Sequence, residues 1–264
     1  MNRIQELFRR KKNDVLSVYC TAGFPRLKDT LDVINALREG GAEMIELGIP
    51  YSDPLTDGPV IQHSSMVALQ NGMTLKELFE QLKDFRKSPE SGGIGNNLPV
   101  LLMGYMNSVL QYGFDRFCSD AASAGIDGLI LPDLPQYEYE TEYGVIIKKY
   151  GLDFVFLVTP ETSEERVKKL DELSQGFLYA VSSSSTTGRD KNMNDVNTYL
   201  QKLKNLQLKN PVMVGFGIKD RQTFRAACEN ANGAIIGTAF IKALEHGNNI
   251  KESTMNFLNS IIFP

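Results

Sequence analysis

A short acidic segment carries the residues that are best suited to chemistry. Glu46 lies near the end of the apolar run Glu43–Gly48, and Asp53 and Asp57 follow on a stretch rich in proline and glycine. Side chains alternate along a strand, so Glu46 faces the interior if its apolar neighbours face covering helices. Burial there raises a carboxyl pKa and makes the group a usable proton donor. The segment predicts acid–base chemistry, although a salt bridge or backbone amides can also satisfy an inward Glu, and a loop Asp is often a turn residue.

Three glycine-bearing turns follow the last three predicted strands and indicate an anion site. They contain Gly188, Gly217 and the pair Gly237-Thr238. Glycine lets backbone N–H groups approach phosphate oxygens, and a helix N-terminus favours the negative charge. Each turn alone is only a turn, but three of them in the same register predict a phosphorylated substrate.

Apolar side chains could form a pocket beside the carboxylates. By strand alternation, Tyr19 and Tyr179 can both point inward. Further walls could come from Ile61, Tyr105, Ile130 and Phe216. Read singly, each of these residues is more often ordinary core than a ligand contact.

Eight short apolar runs alternate with longer amphipathic segments and predict the scaffold. The predicted strands are Val15–Thr21, Glu43–Gly48, Pro99–Gly104, Gly128–Pro132, Asp153–Thr159, Phe177–Val181, Pro211–Gly215 and Ala234–Gly237. Helical patterns include Leu27–Arg38, Leu75–Arg86, Phe114–Ala124, Tyr137–Tyr150, Glu164–Leu173, Asn194–Leu203, Phe240–Glu245 and Lys251–Ile262. This alternation implies a parallel sheet covered by helices.

The number of units predicts a closed (β/α)₈ TIM barrel that forms a single domain over residues 1–264. Eight units in 264 residues give 264/8 = 33 residues each, the size of one strand–helix unit. An open dinucleotide-binding sheet would carry GxGxxG after its first strand, where this chain has Ala22-Gly23-Phe24-Pro25. Residues 87–97 read as a loop before the third strand, and Ile4–Arg10 as a helix at the barrel bottom. The chemistry of such a barrel lies at the carboxyl ends of its strands.

Composition argues against several other classes of protein. The net charge is −4 and the Lys and Arg residues are scattered, so the sequence does not indicate a basic surface for binding nucleic acid. No apolar run reaches the ~18 residues of a membrane span, and the N-terminus lacks the apolar segment of a secretory signal. Three widely spaced cysteines and two histidines argue against a disulfide framework and a metal site, and they suit a reducing cytoplasm.

Residues 45–59 closely resemble the signature of tryptophan synthase α subunits, and the similarity runs along essentially the whole chain. The pattern is acid, aliphatic, Gly, two residues, aromatic, Ser-Asp-Pro, aliphatic, small, Asp-Gly, here starting at Glu46. Thr56 stands where the family usually has a small apolar residue. The loop after the sixth strand departs further, with Ser185-Thr186-Thr187-Gly188 in place of Gly-Val-Thr-Gly and Ser183 in place of a common Arg.

The resemblance implies a retro-aldol cleavage of indole-3-glycerol phosphate into indole and glyceraldehyde 3-phosphate, in tryptophan biosynthesis. Indole C3 must be protonated, and the positive charge then spreads to N1, so the reaction needs an acid near C3 and a fixed carboxylate near N1–H. The resemblance gives Glu46 the first role and Asp57 the second. It implies that no metal or organic cofactor is needed.

The same resemblance predicts the binding positions and the partner. The expected phosphate-binding residues are Gly188, Gly217, Gly237 and Thr238. The expected substrate-binding residues are Tyr19, Ile61, Tyr105, Ile130, Tyr179, Thr187 and Phe216. The implied partner is the pyridoxal-phosphate β subunit in an α₂β₂ heterotetramer, with Asp53, Pro54 and Asn107 on the loops that contact it.

Three alternatives stay open at this point. Another phosphate-binding barrel enzyme, such as a phosphosugar isomerase, would share the fold but not the signature of residues 45–59. A barrel that only activates its β subunit is suggested by the altered loop after the sixth strand, whereas retention of Glu46 and Asp57 argues against it. A free-standing lyase that acts without a β subunit is the third.

Overall fold

A single parallel sheet forms the centre of the fold. The computed structural model describes residues 2–54, 56–87, 93, 95, 97–181, 193–247 and 249–263. For residues 193–196 only the backbone is described. The strands are β1 (Val15–Thr21), β2 (Met44–Gly48), β3 (Val100–Met103), β4 (Gly128–Ile130), β5 (Asp153–Phe154), β6 (Leu157–Val158), β7 (Leu178–Ala180), β8 (Val212–Val214) and β9 (Gly233–Ile236). Their order is β5-β4-β3-β2-β1-β9-β8-β7-β6, and every pair is parallel.

The sheet closes into a barrel because β5 and β6 are two halves of the fifth predicted strand. Only Val155 and Phe156 separate them. The Val155 N–H donates to Leu129 O on one side at 3.1 Å, and Phe156 O accepts from Tyr179 N–H on the other at 3.0 Å. The predicted (β/α)₈ barrel is therefore confirmed, with the correction that its fifth strand changes partner halfway along.

Helices cover the outside of the barrel and one of its ends. They are α1 (Arg3–Arg10), α2 (Thr30–Glu39), α3 (Pro59–Gln70), α4 (Leu75–Leu82), α5 (Met106–Tyr112), α6 (Phe114–Ala124), α7 (Gln136–Glu138), α8 (Gly144–Lys149), α9 (Glu164–Leu173), α10 (Met193–Asn205), α11 (Arg221–Cys228), α12 (Thr238–Glu245) and α13 (Ile250–Ile262). A π-helical turn, Tyr139–Tyr143, joins α7 to α8.

Local capping explains where several helices begin. The side chains of Asn2, Thr74, Ser163 and Asn249 each accept a hydrogen bond from a backbone N–H in the first turn of the helix that follows. Asp220 forms a reciprocal capping box at the start of α11. These polar groups satisfy N–H donors that have no partner within the helix.

Some predicted helix limits are wrong. The segment Leu27–Arg38 becomes helical only at Thr30, and Leu75–Arg86 leaves the α-helix after Leu82. The π-helical turn interrupts Tyr137–Tyr150. Most of the loop predicted at 87–97 lies outside the described residues.

The predicted helix at the barrel bottom is confirmed as α1. Ile4 is fully buried, and its side chain lies beside Gly128 and Gly176. Gly128 is the first residue of β4, and Gly176 lies two residues before β7. The Arg3 guanidinium donates to one Asp127 carboxylate oxygen at 2.8 Å, and that of Arg86 donates to the other at 2.7 Å. The opposite end, where the strands finish, carries the candidate site.

Candidate active site

Strand register places four predicted site residues on one face of the sheet. Tyr19 on β1 pairs with Glu46 on β2, and the ladder continues through β3 to bring Ile130 to the same face. Tyr179 on β7 interacts electrostatically with both Tyr19 and Glu46, although β7 is not a neighbour of β1 or β2. Groups on non-adjacent strands can meet only across the interior of the barrel. This face is therefore the inside, as alternation predicted.

Glu46 is a buried carboxyl group that the protein environment keeps largely neutral. The residue has 0% of its surface exposed. Burial raises the pKa of Glu46 to about 8, against the lowering effect of a hydrogen bond from Ser17. The Ser17 hydroxyl donates to Oε1 at 3.5 Å, and Oε2 has no hydrogen-bond partner among the described residues. Near neutral pH the group is thus a carboxylic acid with a proton available for transfer.

Asp57 lies on the loop between β2 and α3 and is half-buried. Burial raises its pKa to about 6, and a hydrogen bond with the Tyr105 side chain acts in the opposite direction. The Gln62 amide donates to the Asp57 carbonyl oxygen at 2.7 Å and ties the loop to the first turn of α3. Near neutral pH Asp57 is therefore mostly a carboxylate.

The two carboxyl groups face the same tyrosine. Burial holds the pKa of Tyr179 well above the usual value of a tyrosine, and electrostatic interactions with both carboxyl groups raise it further. Asp57 also interacts with Tyr19. One neutral acid and one carboxylate in the same interior space can donate a proton and stabilise positive charge in a single reaction.

Apolar groups from three elements meet beside the carboxyl groups. A Cβ placed on Gly237 would lie 3.4 Å from the Tyr19 Cβ and 3.6 Å from the end of the Ile61 side chain. Ile61 is on α3, so β1, α3 and the start of α12 converge here. The structure brings together these predicted apolar residues and one of the predicted phosphate residues.

The predicted phosphate residues lie on two neighbouring loops. Gly237 immediately precedes α12, whose first residue is Thr238, and the first N–H groups of a helix point at whatever lies before it. Gly217 follows β8 with φ +70°, is exposed, and has open space where a side chain would be. Thr187 and Gly188, with the rest of 182–192, lie outside the described residues.

The other predicted wall residues occupy different depths. Tyr105 follows β3 and is buried, with a ring stacked on Tyr51 at 5.2 Å between centroids. Phe216 follows β8 and is partly buried against the core. Both belong to the carboxyl end of the barrel.

The residues predicted for the partner contact lie on the outer side of the same end. Asp53 and Asn107 are exposed and Pro54 is half-buried. The Asn107 amide donates to the Tyr51 hydroxyl at 3.0 Å, and Tyr51 stacks on Tyr105. A chain of contacts thus leads from the outer loop to the tyrosine beside Asp57.

Sequence reasoning missed Ser17 and the two glycines that make room for the interior tyrosines. A Cβ on Gly48 would overlap the Tyr19 hydroxyl, and one on Gly215 would overlap the Tyr179 ring. Alternation could have placed Ser17 beside Glu46, since it lies two residues before Tyr19. The glycine contacts join distant parts of the chain, and no local signal reveals them.

The described part of the chain contains neither a candidate metal site nor a candidate membrane-spanning helix. No group of three or more His, Cys, Asp or Glu side chains there is arranged to hold a metal ion. None of the helices described combines the length and the apolar character needed to cross a membrane.

A closed parallel barrel with two carboxyl groups of raised pKa where its strands end defines a TIM-barrel enzyme. The sequence model of a family described as tryptophan synthase alpha chain matches residues 5–261. The chain belongs to this family of lyases.

Individual relatives agree in sequence and in structure. The tryptophan synthase alpha chain of Bacteroides thetaiotaomicron is 48% identical over 246 residues, covering 93% of both chains. The crystal structure of tryptophan synthase subunit alpha from Legionella pneumophila superimposes with a TM-score of 0.87 at 33% identity, covering 99% of this chain and 97% of that one. A chain of tryptophan synthase from M. tuberculosis, in an aminoacrylate-bound form, gives 0.83 at 29% identity, covering 99% and 98%.

Proposed function

We propose that this chain cleaves indole-3-glycerol phosphate into indole and glyceraldehyde 3-phosphate, with Glu46 as the acid/base and Asp57 as the charge-stabilising carboxylate. One observation supports these two roles: burial raises the pKa of Glu46 to about 8 and that of Asp57 to about 6, and both groups interact with Tyr179. Two carboxyl groups whose pKa values are held apart take opposite roles near neutral pH.

The proton balance needs only these side chains. Glu46 donates its proton to indole C3, and the positive charge of the indolenine spreads to N1, where Asp57 accepts the N1–H hydrogen bond. The carbon–carbon bond then breaks as the glycerol hydroxyl adjacent to it loses its proton. Glu46, now a carboxylate held by the Ser17 hydroxyl, takes that proton and returns to its starting state. The electron pair of the broken bond restores the aromatic indole.

The substrate is oriented from both ends. The start of α12, with Gly237 and Thr238, and the open position at Gly217 are suited to the phosphate, and Thr187 and Gly188 are proposed to complete that end. Tyr19, Ile61 and Ile130 would hold the indole ring, with Tyr105, Tyr179 and Phe216 at its edges. Fixing both ends converts the cleavage into a reaction of one well-positioned complex.

The partner is proposed to be the β subunit of tryptophan synthase, in an α₂β₂ heterotetramer in the cytoplasm. Asp53, Pro54 and Asn107 are accessible at the carboxyl end of the barrel, where a released indole would leave. The solved neighbour from M. tuberculosis is a chain of a tryptophan synthase, which supports an assembly of this kind. The loop that carries Asp53 also carries Asp57, so docking is expected to order the catalytic loop.

Indole release by purified chain, with and without saturating β subunit, tests the proposal. We expect slow release by the chain alone and faster release in the complex, and we expect Asp57→Asn to slow both. Asp32→Asn, on the exposed surface of α2, is the matched control and should release indole normally. A chain that releases no indole in either state but stimulates the β subunit would be a non-catalytic activator, and one that is indifferent to the β subunit would be a free-standing lyase.

A further inference from the structure

The loop between β2 and α3 makes two polar contacts with a single tyrosine. The Thr56 hydroxyl oxygen lies 2.9 Å from the Tyr105 hydroxyl oxygen, and the Thr56 backbone N–H donates to the same oxygen at 3.3 Å. The Tyr105 side chain also interacts with that of Asp57, the next residue after Thr56, and it lowers the pKa of this carboxyl as a hydrogen-bond donor would. The Tyr105 hydroxyl therefore stands between Thr56 and the carboxyl group.

The direction of these hydrogen bonds follows from the supply of protons. A tyrosine hydroxyl has one proton to donate, and an ionised carboxylate can only accept. The lowering of the Asp57 pKa by Tyr105 therefore requires the tyrosine proton to point towards the carboxylate. The tyrosine oxygen is then left to accept, and both Thr56 groups must donate to it.

We propose that Thr56 is a positioning residue, whose hydroxyl and N–H donate to the Tyr105 oxygen and thereby direct the Tyr105 proton to the Asp57 carboxylate. The proposal rests on the function proposed for Asp57. A hydroxyl that accepts hydrogen bonds is a stronger donor, because the bonds polarise one another. A small apolar residue at position 56 could supply the N–H but not the hydroxyl.

Other groups that face Asp57 come from three further strands. Tyr19 on β1 and Tyr179 on β7 interact with it electrostatically, and Glu46 on β2 lies on the same interior face as these tyrosines. The tyrosines are neutral near pH 7, since their own pKa values are raised well above normal. Glu46 is largely protonated there as well. Thr56 contacts only Tyr105 among these groups, so its effect on Asp57 should act through the orientation of the Tyr105 hydroxyl proton.

The acidity of Asp57 is the property that should respond. Loss of the Thr56 hydroxyl leaves Tyr105 a weaker and less directed donor, so the carboxylate is less stabilised. We expect Thr56→Val to raise the Asp57 pKa by roughly 0.5–1, the size of one modest hydrogen bond. Thr56→Ser keeps the hydroxyl and should keep the wild-type pKa.

The experiment is a ¹³C NMR titration of carboxyl-labelled aspartate in the whole chain, with the Asp57 signal assigned by its loss in Asp57→Asn. The variants are Thr56→Val, Thr56→Ser, Tyr105→Phe and the double variant Thr56→Val with Tyr105→Phe. Thr141→Val, on the exposed π-helical turn, is the matched control. We expect the Asp57 pKa to be raised in Thr56→Val and in Tyr105→Phe. In the double variant we expect the Asp57 pKa to be no higher than in Tyr105→Phe alone.

Two results would overturn the positioning role. One is an unchanged Asp57 pKa in folded Thr56→Val, and the other is an equal rise from that substitution in the Tyr105→Phe background. Failure of the proposed function looks different: Asp57→Asn would then release indole at the wild-type rate, whatever the titration shows. The acidic limb of the indole-release pH profile should move with the NMR pKa if both proposals hold.

Discussion

The ring of Tyr179 on β7 lies against Gly215 at the end of β8, so closely that a Cβ on Gly215 would overlap the ring and its hydroxyl. Tyr179 faces both Glu46 and Asp57. The absence of a side chain at Gly215 is thus a condition for the placement of a tyrosine at the centre of the candidate site.

Gly215→Ala should therefore displace Tyr179 and slow indole release. Gly215 is itself only half-buried, but the Tyr179 ring beside it is buried, and overpacking against a buried side chain typically costs about 1–3 kcal/mol in the free energy of unfolding. In a Tyr179→Ala background the same substitution should cost little, because the overlapping ring is gone. Urea unfolding of the two single variants and the double variant measures this coupling. Additive costs would show that the ring is not what excludes the Cβ.

The pH dependence of turnover should be bell-shaped. Glu46 must be protonated to act as the acid, so activity should be lost as pH rises through its pKa of about 8. Asp57 must be ionised to balance the indolenine charge, so activity should be lost as pH falls through its pKa of about 6. The rate of indole release across this range is the measurement. In Asp57→Asn the remaining activity should lack the acidic limb, and a limb that persists there must belong to another group.

Stability should also depend on pH through Glu46. Folding raises the pKa of this carboxyl from an ordinary 4.5 to about 8, so between these two values the folded state holds a proton that the unfolded state releases. The wild-type free energy of unfolding should fall across that window as pH rises, by about 1.4 kcal/mol for each pH unit crossed. Glu46→Gln has no carboxyl group to titrate, so its stability relative to wild type should increase with pH.

Urea unfolding of wild type and Glu46→Gln at about pH 5 and about pH 9 tests this linkage. Glu80→Gln, on the exposed surface of α4, is the control and should follow the wild type. A stability difference that stays constant between the two pH values would mean that Glu46 is not protonated in the folded protein.

The phosphate end can be tested without catalysis. Inorganic phosphate should raise the melting temperature of the wild type, and Gly217→Asp should abolish most of this effect because its carboxylate repels the anion. Gly72→Asp is a matched control, because Gly72 also has positive φ, open space and an exposed position at the end of α3. Phosphate stabilisation that persists in Gly217→Asp would place the anion elsewhere.

Much of the scaffold could be predicted because its signals are local. Each strand is a short apolar run, and each amphipathic segment repeats with helical spacing, so eight units could be counted along the chain. The limits of Phe114–Ala124 and Glu164–Leu173 match α6 and α9. Alternation also gave the inward side of Tyr19 and Glu46.

Features that depend on distant partners could not be predicted. The fifth strand splits because its backbone bonds pass from β4 to β7, and only the closed barrel determines that change. The bond between Thr56 and Tyr105 joins residues 49 positions apart. The π-helical turn also lacks a sequence pattern that distinguishes it from an ordinary helix.

Steady-state indole release by Glu46→Gln tests the central claim most directly. Glutamine keeps the size of the side chain and can still accept the Ser17 hydrogen bond, but it has no proton to transfer to C3. A positioned acid/base typically contributes about 10²–10⁴-fold, so turnover should fall by at least the lower figure while stabilisation by phosphate survives. Near-normal turnover in folded Glu46→Gln would contradict the proposed role of Glu46, and cleavage would then have to use another residue.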